Sequence, residues 1–319
     1  MRGLLVSGFE FRDKPCRGGE GEKKFDVGTT VVDMKREFDK VNHPVYFRYL
    51  GSHWIETLRD GLLKLARPQD FNDPYDCLGV CIGKFKVEAL AKHFMDSRCD
   101  IYRQTLLFAK MNKLTVAEAA MRLASQNVDR HSSKMAETVR RRLLMDGLMY
   151  LLCFSSCPED DSAHRLMWAH YANKCRGVRL GFHFNEGRAF KHYLNVVKYS
   201  SERAVLDLSL LNDVEEDIEY RILFENLITT KSIDWAYERE YRLMIADTHA
   251  ESSIDAQGNI LRFWRFNPDD LEFVDLGLDF DEKEIREVLS IVAKQYPNAK
   301  VRRLNLSPST FAFQLEDLD

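Results

Sequence analysis

The chain has 319 residues, 45% hydrophobic and 30% charged, which excludes a disordered or fibrous protein and allows two domains or one large domain with an insertion. Its 46 basic and 50 acidic residues leave a formal net charge of -4, so no global positive field draws it to nucleic acid or to a membrane. Seven cysteines, an odd number without a secretory signal before them, point to reduced thiols rather than a disulfide frame.

The opening apolar run is broken at Gly8, too early for a signal peptide, and no later stretch offers about 18 uncharged apolar residues. A cytoplasmic location without membrane contact is expected. Residues 1–44 read as a polar lead-in, centred on Arg17-Gly18-Gly19-Glu20-Gly21-Glu22-Lys23-Lys24, and residues 45–319 as a single α+β domain.

Val45-Tyr46-Phe47-Arg48-Tyr49-Leu50 is rich in β-formers and predicts a strand; Ser52 then N-caps a helix that Gly61 ends. Phe71-Asn72-Asp73-Pro74-Tyr75-Asp76 reads as a fixed turn. Residues 84–146 turn helical, with a capping box at Thr115 and Glu118 and a basic run at Arg140-Arg141-Arg142, and form a helical insertion. Strands are expected at 150–155, 177–184 and 194–199, and a helical, acidic segment at 202–236. Further strands are expected at 240–246, 262–266, 271–276 and 300–306, with a helix at 281–296. The insertion interrupts one mixed sheet, so the class is α+β rather than alternating α/β.

Three groups of residues could carry chemistry. Glu238, Glu240 and Arg242 alternate and would share one face of a strand, where paired carboxylates beside a guanidinium stabilise positive charge; an edge strand with solvated charges has the same pattern. Trp168, His170 and Tyr171 offer stacking surface and hydrogen-bonding tips for a planar heterocycle, or ordinary core packing. Arg48 could clamp a phosphate or pair with an acid. Asp73 and Asp76 suit Asx turns or metal ligation. The pairs Cys77/Cys81 and Cys153/Cys157 lack the spacing common at zinc sites and read as buried hydrophobes. There is no Gly-rich phosphate loop, His-Glu-x-x-His or nucleophile elbow.

Taken in order, Tyr46-Phe47-Arg48-Tyr49, Phe71-Asn72-Asp73-Pro74-Tyr75-Asp76, Cys153-Phe154-Ser155, Met167-Trp168-Ala169-His170-Tyr171-Ala172, Gly177-Val178-Arg179-Leu180-Gly181-Phe182 and Trp235-Ala236-Tyr237-Glu238-Arg239-Glu240-Tyr241-Arg242 resemble the bacterial family called domain of unknown function 2971, over about residues 45–280. More distantly, Tyr46-Phe47-Arg48-Tyr49 with the helix after it is similar to the start of ADP-ribosyltransferases. Those enzymes carry a His or Arg on that strand, an aromatic residue or Ser on a middle strand and a late Glu. The resemblance implies a sheet of ADP-ribosyltransferase type, NAD as substrate and no metal. It implies catalytic Glu240, Glu238 and Arg48, and NAD-binding Arg48, Tyr46, Tyr171, Trp168, His170, Ser155 and Arg242. Tyr171 takes the middle position; Cys153-Phe154-Ser155-Ser156 matches the family's Ser-Thr-Ser element only in part.

The expected function is an NAD-dependent transferase, a toxin or phage-defence effector, acting on a protein or nucleic-acid acceptor. The alternatives are a non-catalytic sensor of a nucleotide or phage component, and a nuclease holding Mg²⁺ on Asp73, Asp76, Glu238 and Glu240.

Overall fold

Strand β1, Tyr46–Leu50, is the first described element of the computed structural model, which describes residues 45–144, 149–156, 162–184, 194–207 and 226–318. All of these lie in one unit, Val31–Asp319; the lead-in at 1–44 lies outside the described residues. Helix α1, Trp54–Asp60, follows. Its N-cap is His53, not the expected Ser52, and Gly61 closes it in the left-handed region at φ 68°. Strand β2 (Leu62–Lys64) leads through the 71–77 loop to β3 (Val80–Ile82).

Three helices come next: α2 (Val87–Phe94), α3 (Tyr102–Asn112) and α4 (Val116–Leu144). Thr115 and Glu118 cap α4 reciprocally, the Thr115 amide donating to the Glu118 carboxylate at 2.8 Å and the Glu118 amide to the Thr115 hydroxyl at 3.2 Å. Leu90, Ala91 and Phe94 pack on Ala120 and Ala124, small residues that let α2 approach α4 closely. Arg141 is exposed, and the side chains of Arg140 and Arg142 lie outside the described ones.

The further strands and α-helices among the described residues are β4 (Met149–Ser155), α5 (Ser162–Tyr171), β5 (Val178–Phe182), β6 (Leu194–Val196), β7 (Lys198–Ser200), β8 (Val205–Asp207), β9 (Thr230–Ser232), β10 (Glu240–Ala246), β11 (Glu251–Ile254), β12 (Ile260–Arg265), β13 (Leu271–Leu276), α6 (Glu282–Gln295), β14 (Lys300–Leu306) and β15 (Phe313–Leu318). The single strand expected at 194–199 is two strands that pair with different partners. The segment expected to be helical at 202–236 holds β8 and β9; residues 208–225 lie outside the described ones.

Among the described residues, eight strands form one sheet in the order β15-β14-β13-β5-β1-β4-β10-β6. Only β13 and β14 pair in parallel, joined by the crossover through α6; the other neighbours are antiparallel. A mixed, largely antiparallel sheet with segregated helices makes the chain an α+β protein. No helix among the described residues is long and apolar enough to cross a membrane.

Alternation sorts the two sheet faces. One face presents Tyr46, Leu152, Phe154, Leu180, Phe182, Leu243, Ile245 and Val274, packed with Val288 and Val292 of α6. Each such buried side chain contributes about 1.5–3 kcal/mol. The other face carries Phe47 and Tyr49 under Trp168 of α5, and beyond them a row of charged groups. Covered on both faces, β5 is buried at all five positions. Its Arg179, without exposure, binds Asp275 at 2.7 Å and lies 4.0 Å over the Phe47 ring.

Candidate functional site

β10 alternates Glu240, Arg242 and Met244 with Tyr241, Leu243 and Ile245. The second set joins the main core, so the first points away from it. Arg242, with no exposure, binds two acids at once. Its Nη1 and Nη2 donate to Asp76 Oδ1 and Oδ2 at 2.8 and 2.7 Å, and its Nε and Nη2 to Glu240 Oε1 and Oε2 at 2.8 Å each. Nη1 also reaches the Ile228 carbonyl at 2.6 Å. A planar five-donor fork suits such two-sided pairing; a lysine does not. The expected turn at 71–76 is thereby clamped onto the sheet, with Asp73 Oδ1 accepting the Tyr75 amide at 2.9 Å.

Lys231, from β9, stands among three carboxylates. Its Nζ lies 2.5 Å from Glu238 Oε2, 3.2 Å from Glu240 Oε2 and 3.4 Å from Asp76 Oδ2. Three acceptors meet the three donors of one ammonium. The other oxygen of Glu238, Oε1, accepts the Tyr171 hydroxyl, which in turn accepts a long 3.4 Å contact from the exposed Asn72 amide. Ser155 Oγ donates to the Glu238 carbonyl at 2.6 Å, and Tyr199 Oη accepts the Glu240 amide at 2.9 Å. The buried cluster is edged by aromatic rings: Lys231 lies 5.1 Å from Trp235 and Arg242 5.0 Å from Phe71.

Three acids and two bases are neutral together only when one acid holds a proton. Burial pushes the Glu238 carboxyl above its usual range against the opposing Lys231 charge. Burial acts on Glu240 too, but the Arg242 charge and hydrogen bonds override it and hold that carboxyl at about 2. Lys231 loses solvation, yet Glu240, Glu238 and Asp76 raise it well above an ordinary lysine. Burial and then the Glu238 charge raise the Tyr171 hydroxyl. Of the two glutamates, Glu238 is therefore the one more ready to take a proton.

The expected residues fall into three groups. Glu238, Glu240, Arg242, Tyr171 and Ser155 meet at this cluster. Arg48 comes close: its Nη1 donates to the Cys153 carbonyl at 2.9 Å, on the strand between β1 and β10, and its charge acts on the Cys153 thiol together with Glu240 and Arg242. Tyr46 and Trp168 are elsewhere. Tyr46 is buried on the opposite face, stacked on Phe184 and edge-on to Tyr241. Trp168, without exposure, donates to His164 Nε2 at 2.8 Å and meets the Tyr49 ring edge-on, so it presents no stacking surface. His170 is exposed and shares a 3.0 Å hydrogen bond with the Tyr237 hydroxyl.

Two local expectations are corrected. Tyr171 ends helix α5, because Ala163, Met167 and Trp168 recur at helical spacing and turn toward the sheet. Glu238 does not share a strand with Glu240. It closes a 3-10 helix, Ile233–Glu238, capped by the Ser232 side chain, and Arg239 at φ 45° turns the chain into β10. That left-handed residue brings both carboxylates to one ammonium.

The nuclease geometry is not formed, since Asp73 serves its own loop and Lys231 stands among the other three acids. No group of three His, Cys, Asp or Glu that could hold a metal is found among the described residues. Of the cysteine pairs, Cys77 touches Arg242 through its sulfur at 3.3 Å. Cys157 and the Cys81 side chain lie outside the described ones. Lys231 was not singled out from the sequence; its one local signal is a lysine in a short β-branched run, Ile228-Thr229-Thr230-Lys231-Ser232-Ile233.

Fold and site define an α+β protein with a buried acid–base cluster at the β4/β10 end of a mixed sheet. Residues 167–243, which include Tyr171, Lys231, Glu238, Glu240 and Arg242, match the model of a family described as "Protein of unknown function (DUF2971)". No curated protein and no solved structure matches the chain.

Proposed function

We propose that the chain is an ADP-ribosyltransferase-like enzyme that takes NAD as substrate and transfers ADP-ribose to a protein or nucleic-acid acceptor. The observation that carries this reading is one row across three neighbouring strands. Phe47 of β1 pairs with Ser155 of β4, and Ser155 with Glu240 of β10. Arg48 follows Phe47 on β1, so Arg48, Ser155 and Glu240 come from consecutive strands, in the order that the resemblance asks of a first-strand Arg, a middle-strand Ser and a late Glu, while Arg48 itself alternates to the face across from the other two. Ser155, not Tyr171, takes the middle position in this reading.

In the reaction, the bond from nicotinamide nitrogen to ribose C1′ breaks with its electron pair leaving on nicotinamide. The ribose becomes oxocarbenium-like, and a nearby carboxylate stabilises that charge until the acceptor attacks C1′. Glu238 is the acid for that role. Its Oε1 accepts the Tyr171 hydroxyl, which the exposed Asn72 amide contacts in turn, whereas both oxygens of Glu240 are held by Arg242. Glu240 and Arg242 form the rigid support behind it.

A second reading, a non-catalytic nucleotide sensor, is favoured by the same saturation: every carboxylate oxygen of Asp76, Glu238 and Glu240 already has a donor. Nicotinamide release from NAD separates the two. Release that Glu238→Gln abolishes supports the enzyme; NAD binding without release supports the sensor.

A further inference from the structure

We infer that Lys231 is a positioning residue that holds Glu238 ionised and aimed, an inference that rests on Glu238 being the ligand-facing acid of the proposed site. Of the five groups in the cluster, Arg242 gives its hydrogen bonds to Asp76, Glu240, Cys77 and the Ile228 carbonyl. The shortest contact of Lys231, 2.5 Å, is to Glu238, with 3.2 and 3.4 Å to the other two acids. The charged partner of Glu238 is therefore the lysine, and its neutral partner is Tyr171.

The surroundings explain why a cation is needed there. Glu238 is faced by the Tyr171 hydroxyl from α5, by Lys231 from β9, by Glu240 from β10 and by Tyr199 from β7, with Tyr237 beside it in its own helix. Asp76 and Arg242 lie behind Glu240. Glu240 repels a second negative charge, and burial opposes it as well. Among these groups, Lys231 supplies the attraction that offsets both. An ammonium with three rotatable donors can follow Glu238 while still bound to Glu240 and Asp76, which a fixed guanidinium fork cannot do.

Two measurements that require no NAD turnover test the inference. In protein labelled with ¹³C at glutamate side chains, the Glu238 carboxyl signal is assigned by its loss in Glu238→Gln and titrated with pH. In Lys231→Met its midpoint moves to higher pH than in the unsubstituted protein; a lysine with a merely structural role leaves it in place. A double-mutant cycle on thermal midpoints is the second readout, and where Lys231→Met alone shows no melting transition, a transition regained in Lys231→Met/Glu238→Gln takes its place. Removing Glu238's charge in Lys231→Met/Glu238→Gln recovers part of the loss, because the lone substitution strands that carboxylate. Strictly additive losses, or an unshifted titration, overturn the inference. A shifted titration in a protein that releases no nicotinamide upholds the Lys231 role and defeats the proposed function instead.

Discussion

Replacing Arg242 by Met removes the group that joins the 71–77 loop, β10 and the segment before β9. The methionine keeps much of the stem volume but none of the donors, so Asp76 and Glu240 lose their bidentate partner inside the protein. Breaking a buried ion pair on one side costs about 3–5 kcal/mol, because a charge is left without compensation. For a chain of this size each kcal/mol lowers the melting temperature by roughly 2–4 °C, so a fall on the order of 10 °C is expected.

The pH dependence makes this prediction specific. Arg242 holds Glu240 at about 2, below its ordinary 4.5. A depressed carboxylate stabilises the fold above its unfolded value, and that contribution fades as pH falls from about 4.5 toward 2. In Arg242→Met it is absent at every pH. The gap between the two proteins, read by denaturant unfolding across a pH series, is therefore widest near neutrality and narrows in acid. A loss below about 1 kcal/mol, or a gap constant from pH 7 to pH 3, would refute the reasoning.

Trp168→Ala empties a site with no exposure and strips a donor from His164, so a loss of about 3–5 kcal/mol is expected by urea unfolding. At Gly177 a Cβ would come within 2.0 Å of the Leu50 carbonyl oxygen, so Gly177→Ala must shift β1 against β5 and should cost about 1–3 kcal/mol. Asp281→Ala removes the N-cap of α6, whose side chain accepts the Glu284 amide at 2.8 Å; unfolding should show a loss of about 0.5–2 kcal/mol without change in NAD handling.

The parts of the fold that rest on local periodicity were readable from the chain. β10 alternates apolar residues with Glu240 and Arg242, and α6 carries both an Asp281–Glu284 box and an apolar stripe. β11 was not, because its four residues are all exposed and offer no alternation. At α5 the helical spacing of Ala163, Met167 and Trp168 is the signal that buries Trp168, whereas Tyr171 at the end of the helix reaches Glu238. Tyr46 and Arg48, two residues apart on β1, share the face of the sheet across from Glu240, whose row carries Phe47 instead.

The site was legible only in part for a different reason. Glu238 and Glu240 are close in sequence, but Asp76 lies 166 positions from Arg242 and Tyr171 lies 67 from Glu238. Long-range charge pairing of this kind leaves no periodic trace. The left-handed turn at Arg239 is likewise set by how the 3-10 helix and β10 meet.

The most direct test of the proposed chemistry is nicotinamide release from NAD by the purified chain, compared with Glu238→Gln confirmed to be folded by its melting curve. Release by the unsubstituted protein, and its loss in Glu238→Gln, are the expected results. Release that survives the substitution, or a chain that neither binds nor cleaves NAD, would contradict the proposed chemistry.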